Sequence, residues 1–250
     1  MQTVTVKNVT FGEGQPKICV PIVARTPEEV FIQAKEIVKL QADLCEWRVD
    51  WFDGLDDPHT LDQTACTLRK ALPEMPLLFT CRTKAEGGER EFSPEEYLKI
   101  CEQLMTLESC DLIDIELFTA GERAPVLVEK AHKKNIPIIF SSHDFNSTPS
   151  EEEIIDRLKK MEALGGDLLK IAVMPQTPAD VLTLLSATMK MNETSSRPLI
   201  TMSMGALGTI SRTCGEVFGS CMTFGSAKLA SAPGQIPVVE LRRMLELLRQ

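Results

Sequence analysis

Asp167-Leu168-Leu169-Lys170-Ile171-Ala172-Val173-Met174, with Thr177-Pro178-Ala179-Asp180 close behind, reads as a strand feeding a helix. The first stretch is short, apolar and β-branched toward its end, as a buried strand is. The second sets a hydroxyl cap before a proline at the first helical position and an acid at the third, which favours a helix start. The same logic recurs at Thr26-Pro27-Glu28-Glu29, Ser93-Pro94-Glu95-Glu96 and Thr148-Pro149-Ser150-Glu151. Strand-like runs at 17–24, 43–51, 76–82, 111–117, 136–142, 167–174, 198–203 and 221–226 alternate with helical patterns such as 27–40, 94–107, 149–164, 178–190 and 236–249. Eight such strands in 250 residues predict an α/β chain closed as a (β/α)8 TIM barrel, one domain spanning 1–250. An open doubly wound sheet would usually show a glycine-rich phosphate turn after its first strand, and Val23-Ala24-Arg25-Thr26 has none. Ahead of the barrel, Thr3-Val4-Thr5-Val6 and Val9-Thr10-Phe11 alternate as a small β-hairpin expected to close its bottom.

A chain 43% hydrophobic and 25% charged suits an ordinary globular protein. The net charge of −9, without any lysine/arginine-rich run, argues against nucleic acid or an anionic membrane as partner. An anionic small substrate would need a local arginine cluster working against that field. No basic segment followed by an apolar run opens the chain, and no stretch nears the ~20 apolar residues of a membrane span, so a cytoplasmic protein is expected. The eight cysteines, from Cys19 to Cys221, form no Cys-x-x-Cys pair, and several lie in strand-like runs. They read as reduced core thiols rather than metal ligands.

Lys170 is the oddity of its strand. A buried ammonium without a partner tends to shed its proton, and the neutral amine attacks carbonyl carbon to give a Schiff base. A lysine that snorkels to solvent, or pairs with a carboxylate, is the plainer alternative. In such barrels function sits at the C-terminal strand ends. The polar residues falling there are Glu46, Arg48 and Asp50 on one face of strand two, Arg82 before the loop Glu86-Gly87-Gly88-Glu89, Asp114 and Glu116, His143, and Ser211-Arg212. Ser231-Ala232-Pro233-Gly234-Gln235 has the composition of a mobile cover. Singly each has a structural reading: Glu46 with Arg48, or Asp114 with a neighbour, could hold the mouth together, and Glu116 is read as structural. Their convergence on one rim is what points to a site.

Glu46-Trp47-Arg48-Val49-Asp50, Ser142-His143-Asp144-Phe145, Lys170-Ile171-Ala172-Val173-Met174-Pro175 and Ser231-Ala232-Pro233-Gly234-Gln235 resemble the type I 3-dehydroquinate dehydratases, in that family's order. The resemblance implies a (β/α)8 barrel, usually a homodimer, in the shikimate pathway of aromatic amino acid biosynthesis. The implied reaction turns 3-dehydroquinate into 3-dehydroshikimate and water without metal or organic cofactor. Lys170 matches the Schiff-base lysine, His143 the general acid/base and Glu86 its supporting acid. Glu46, Arg48, Arg82, Arg212, Ser231 and Gln235 match positions that hold substrate. Pro21 stands where some members place a serine near the ligand, so it is left outside the site.

The chemistry asks for these residue types. An iminium on Lys170 draws electrons harder than the ketone and eases loss of the neighbouring proton. Since lysine ordinarily titrates near ~10.4, the amine must be made neutral by burial or nearby positive charge. Histidine, near ~6.5, suits the proton transfers. Arginine can grip the substrate carboxylate with paired hydrogen bonds. Two other readings compete: a lysine-dependent aldolase, for which Gly205 and Gly208 could cradle a phosphate, and a non-catalytic metabolite-binding barrel with Lys170 protonated and salt-bridged.

Overall fold

In the computed structural model, residues 2–227 and 232–249 are described. A hairpin of β1 (Val4–Val6) and β2 (Val9–Phe11) comes first, Val4 facing Phe11. Eight longer strands follow: β3 (Lys17–Ile22), β4 (Leu44–Arg48), β5 (Leu77–Thr80), β6 (Leu112–Glu116), β7 (Ile138–Asp144), β8 (Leu168–Val173), β9 (Leu199–Ser203) and β10 (Met222–Ser226). All pair in parallel in chain order, and β10 returns to the free edge of β3. The seam between β9 and β10 closes through the Leu199–Ser220 bridge, where the Cys221 N–H donates to the Leu199 carbonyl at 2.7 Å. The expected barrel is the fold observed.

Around it run α1 (Pro27–Ile37), α2 (Pro58–Ala71), α3 (Pro94–Leu104), the single turn α4 (Leu117–Ala120), α5 (Ala124–Lys133), α6 (Glu151–Ala163), α7 (Pro178–Thr194), the single turns α8 (Gly205–Gly208) and α9 (Gly215–Phe218), and α10 (Val238–Leu248). Three of the four expected caps start their helices: the Thr26 and Ser93 hydroxyls accept from the Glu29 and Glu96 N–H groups at 3.3 Å, and Asp180 accepts from the Thr177 N–H at 2.7 Å. The fourth is corrected. Thr148 donates its hydroxyl to the Met174 carbonyl at 3.1 Å, and α6 begins two residues later than expected, capped by Ser150. The α2 helix was not anticipated because its cap is a carboxylate, Asp57, ahead of Pro58. At the chain's end Ile236–Pro237, expected as helix, forms β11 beside β10.

Two cores result from the period-two alternation of the strands. Side chains facing outward, among them Trp47, Phe79, Ile113 and Phe140, pack under the helices. Facing inward, Cys19, Leu44, Leu78, Leu112, Ile139, Leu168, Ile200 and Met222 form an apolar floor, one from each barrel strand, and the hairpin's Val4, Val6, Val9 and Phe11 pack against it. Two residues further along five of the eight strands the interior changes character. There stand Glu46, Thr80, Asp114, Ser141 and Lys170, and above them Arg48, Arg82, Glu116 and His143. A dry floor with a polar layer on top is what gives the barrel a site at one end only.

Candidate active site

Lys170 sits on β8 with its side chain 4% exposed, beneath the cavity and with its Nζ 4.7 Å from the centre of the Phe224 ring. It is not an isolated amine: Nζ donates to Asp114 Oδ2 at 2.9 Å. The expectation of a lysine neutralised by a dry pocket therefore has to accommodate a carboxylate partner. Burial alone would raise the Asp114 carboxyl, but the Arg82 guanidinium and the Lys170 ammonium pull it well below the usual carboxylate range.

His143 lies one strand away on β7. Glu86 Oε2 is 2.8 Å from its Nδ1 and accepts from its backbone N–H at 3.0 Å. With Nδ1 so held, Nε2 is the ring nitrogen left for the cavity. Burial, then the Arg82 and Lys170 cations, hold the imidazole well below its ordinary value, so it is poised as an unprotonated base. Burial, then the Glu116 charge, push the Glu86 carboxyl up to about 8. The turn that delivers Glu86 needs both following glycines. Gly87 has φ of 84°, and a Cβ there would lie 2.2 Å from the Phe145 ring; one on Gly88 would lie 1.9 Å from the Arg82 carbonyl oxygen.

The arginines divide their labour. Arg82 is locked between carboxylates, donating to Asp114 at 2.7 Å, to Glu116 at 2.9 Å and to the Ser141 hydroxyl at 3.0 Å. Arg48 forms a two-pronged pair with Asp50, at 2.8 and 2.7 Å, rather than with Glu46. Glu46 instead accepts from the Thr80 hydroxyl at 2.8 Å. Arg212 differs from both. It is 1% exposed, it donates to the Pro233 carbonyl at 3.0 Å, and among the described residues no carboxylate pairs with it. Its Nε has no partner among them, and burial lowers the guanidinium to about 10, still charged at neutral pH.

One cavity, open at the rim, is lined by Glu46, Arg48, Arg82, Glu86, His143, Lys170, Arg212 and Gln235. These are eight of the nine residues singled out in the sequence; Ser231 lies outside the described residues. The same cavity is walled by Phe145, Ala172, Met202, Met204 and Phe224, which sequence reasoning passed over. Their apolar character gave no chemical signal, although a period-two count from the floor reaches Ala172, Met202, Met204 and Phe224. Asp114 and Glu116, given structural readings from the sequence, and Asp50, placed there only on the face of Glu46 and Arg48, are the residues that hold Lys170, Arg82 and Arg48. The backbone N–H of Gly205, which a phosphate cradle would need, is taken by the Pro233 carbonyl at 3.2 Å.

Comparison with known proteins bears on this arrangement. The chain is 51% identical over 250 residues to the 3-dehydroquinate dehydratase of Listeria monocytogenes serotype 4b, covering 100% of this chain and 99% of that protein. The crystal structure of type I 3-dehydroquinate dehydratase from Clostridium difficile with covalently modified comenic acid superposes with a TM-score of 0.95, at 48% identity, covering 99% of this chain and 98% of that one. The enzyme from Enterococcus faecalis superposes with a TM-score of 0.92, at 45% identity, covering 99% of this chain and all of that one. The family model of type I 3-dehydroquinase matches residues 18–250, and the chain belongs to that family.

Proposed function

We propose that this enzyme dehydrates 3-dehydroquinate to 3-dehydroshikimate through a Schiff base on Lys170. The observation that carries the reading is the shared cavity. Lys170 Nζ, the free edge of His143 and Arg212, with which no carboxylate pairs among the described residues, all open on one space. Arg212 takes the substrate carboxylate, supplying the local positive charge that an acidic protein otherwise lacks. Gln235 closes that end, Ser231 is assigned to hold substrate with it, and Glu46 with Arg48 meets the ring hydroxyls. The amine adds to the ring ketone and water leaves, giving the iminium. His143 Nε2 then takes the neighbouring proton, the electron pair settling as the enamine, and returns it to the departing hydroxyl. Glu86 steadies the imidazole and the charge it carries in between. Hydrolysis of the final iminium frees the product and the lysine.

That the Clostridium difficile relative is described with covalently modified comenic acid is compatible with covalent chemistry on this chain as well. The aldolase reading is weakened at one of its two cradle glycines, because the Gly205 N–H is already bonded. The test is borohydride reduction in the presence of 3-dehydroquinate, followed by peptide mass mapping. A mass increase on the peptide containing Lys170 is expected; dehydration at full rate with Lys170 unmodified would sink the mechanism. The homodimer belongs to the same reading. Leu207, Ile210 and Val217 stand exposed in the stretch that follows β9. Sedimentation equilibrium should return twice the 27.8 kDa of one chain, and the mass of a monomer would remove the dimer.

A further inference from the structure

Asp114 is buried at the centre of the polar layer, and its two oxygens have separate duties. Oδ1 accepts from Arg82 at 2.7 Å and from the Ser141 hydroxyl at 2.6 Å. Oδ2 is turned to the Lys170 nitrogen at 2.9 Å. Two donors fix one oxygen, so the other is held in place against the reacting atom. The pair spans two strands, β6 to β8, with β7 contributing Ser141 between them. A salt bridge made only for stability would be expected to waste such a geometry, since buried pairs roughly break even against apolar packing.

We propose that Asp114 is the catalytic counter-ion of Lys170, pairing with its nitrogen while that nitrogen is an ammonium and again while it is an iminium, with Arg82 and Ser141 as its positioning residues. The inference rests on the Schiff-base reading above. The balance of that step makes the role coherent. Ammonium plus ketone gives protonated imine plus water: the C=O bond breaks, a C=N bond forms, and two of the three ammonium protons leave on the carbonyl oxygen. The positive charge is on nitrogen at both ends, so Asp114 never needs to change its own protonation. The partner stabilises the charged forms of the nitrogen and opposes the neutral amine that must appear briefly for attack. Other titratable groups face the pair: Cys19 from β3, Glu46 from β4, Arg82 and Glu86 from the end of β5 and the turn after it, Glu116 on β6 itself and His143 from β7. Phe224 from β10 presents only its ring face.

The test is the rate of borohydride trapping with 3-dehydroquinate across a pH series, for the unchanged protein and for Asp114→Asn. Removing the charge should bring the free amine forward, moving the pH of half-maximal trapping down by about one to three pH units. An unmoved half-point in a folded Asp114→Asn protein overturns the proposal while leaving the Schiff base standing. Absence of any adduct in the unchanged protein is a different failure, that of the Schiff-base reading itself. Should Asp114→Asn fail to fold, Ser141→Ala decides by the same readout. It removes one of the two donors on Oδ1, and a displaced half-point supports the role where an unmoved one refutes it.

Discussion

Glu86→Gln should make this protein more stable at neutral pH while impairing it. Burial and the Glu116 charge raise the Glu86 carboxyl from an ordinary 4.5 to about 8. A carboxyl raised by folding keeps its proton in the native chain where the unfolded chain has already lost it. Between about 4.5 and about 8 the native state therefore binds more protons, and Glu86 costs stability steadily as pH rises through that window. Glutamine keeps the shape and has no proton to lose. The stability difference between the two proteins should grow in favour of glutamine by about 1.4 kcal/mol per pH unit inside the window. Urea unfolding of both proteins at pH 5.5 and 7.5 should thus show glutamine gaining roughly 2–3 kcal/mol over that interval. The depressed His143 titrates with the opposite sign and is bonded to Glu86, so the stability comparison is made in a His143→Ala background, where that titration is absent from both proteins. A difference that stays constant between the two pH values would refute the argument, because it would mean that Glu86 is ionised throughout. The impairment follows from the same group: Glu86 can give up its proton when His143 becomes an imidazolium and glutamine cannot, so kcat should fall in the variant that is more stable.

His143→Ala should still form the Lys170 adduct but turn over about 10²–10⁴-fold more slowly, as single-turnover trapping beside steady-state rates would show; full activity removes the residue from the proton transfers. Arg212→Lys keeps the charge and loses the planar fork, so KM for 3-dehydroquinate should rise about tenfold or more with kcat much less affected. An unchanged KM would put the carboxylate elsewhere. Gly87→Ala meets both a positive φ of 84° and the Phe145 ring, and should lower stability by about 1–3 kcal/mol in thermal unfolding. A melting temperature equal to that of the unchanged protein would mean that the Glu86 turn is not held as tightly as it is drawn.

The strand-and-cap unit around Lys170 was legible because its signals are local: a run of apolar residues, a proline, an acid three places from a hydroxyl. Eight of the nine singled-out residues share one cavity because period two and the C-terminal rim are also short-range rules. What the sequence did not disclose is who holds whom. Glu46 and Arg48 lie on one face, which suggests a pair. The chain leaves the extended form at Arg48, whose ψ is 86°, and a 3-10 turn over Val49–Trp51 brings the Asp50 carboxylate back to that guanidinium. Asp114 was visible as an inward carboxylate, but so were Glu46 and Glu116. The choice among them depends on register across 56 residues: Lys170 is level with Ser141, and Ser141 with Glu116, yet the strand tilt that closes a barrel brings Lys170 to Asp114 one step below. Local sequence carries no trace of that offset. Thr148 fails as a cap for a related reason, since its hydroxyl finds the Met174 carbonyl on a neighbouring strand's loop before it can serve a helix.

The pairing pattern also explains how a chain of net charge −9 can hold an anion. Arg82 is neutralised by Asp114 and Glu116, Arg48 by Asp50, and Lys170 by Asp114. These pairs set the polar layer's geometry, but each cation that is matched has little left to offer a carboxylate from solution. Arg212 is left over among the described residues: buried, lowered toward 10 by its burial, and holding an Nε with no partner. An unpaired buried charge is a cost to the folded chain, and a ligand carboxylate arriving there removes it. The acidic groups of the polar layer lock three cations into the scaffold and leave the fourth unmatched among the described residues, which supports the proposal that the substrate's own charge lies at that end of the cavity. In the proposed reading the rest of a cyclic ligand then lies across Lys170 and His143, and its orientation follows from Arg212 having no carboxylate partner among the described residues.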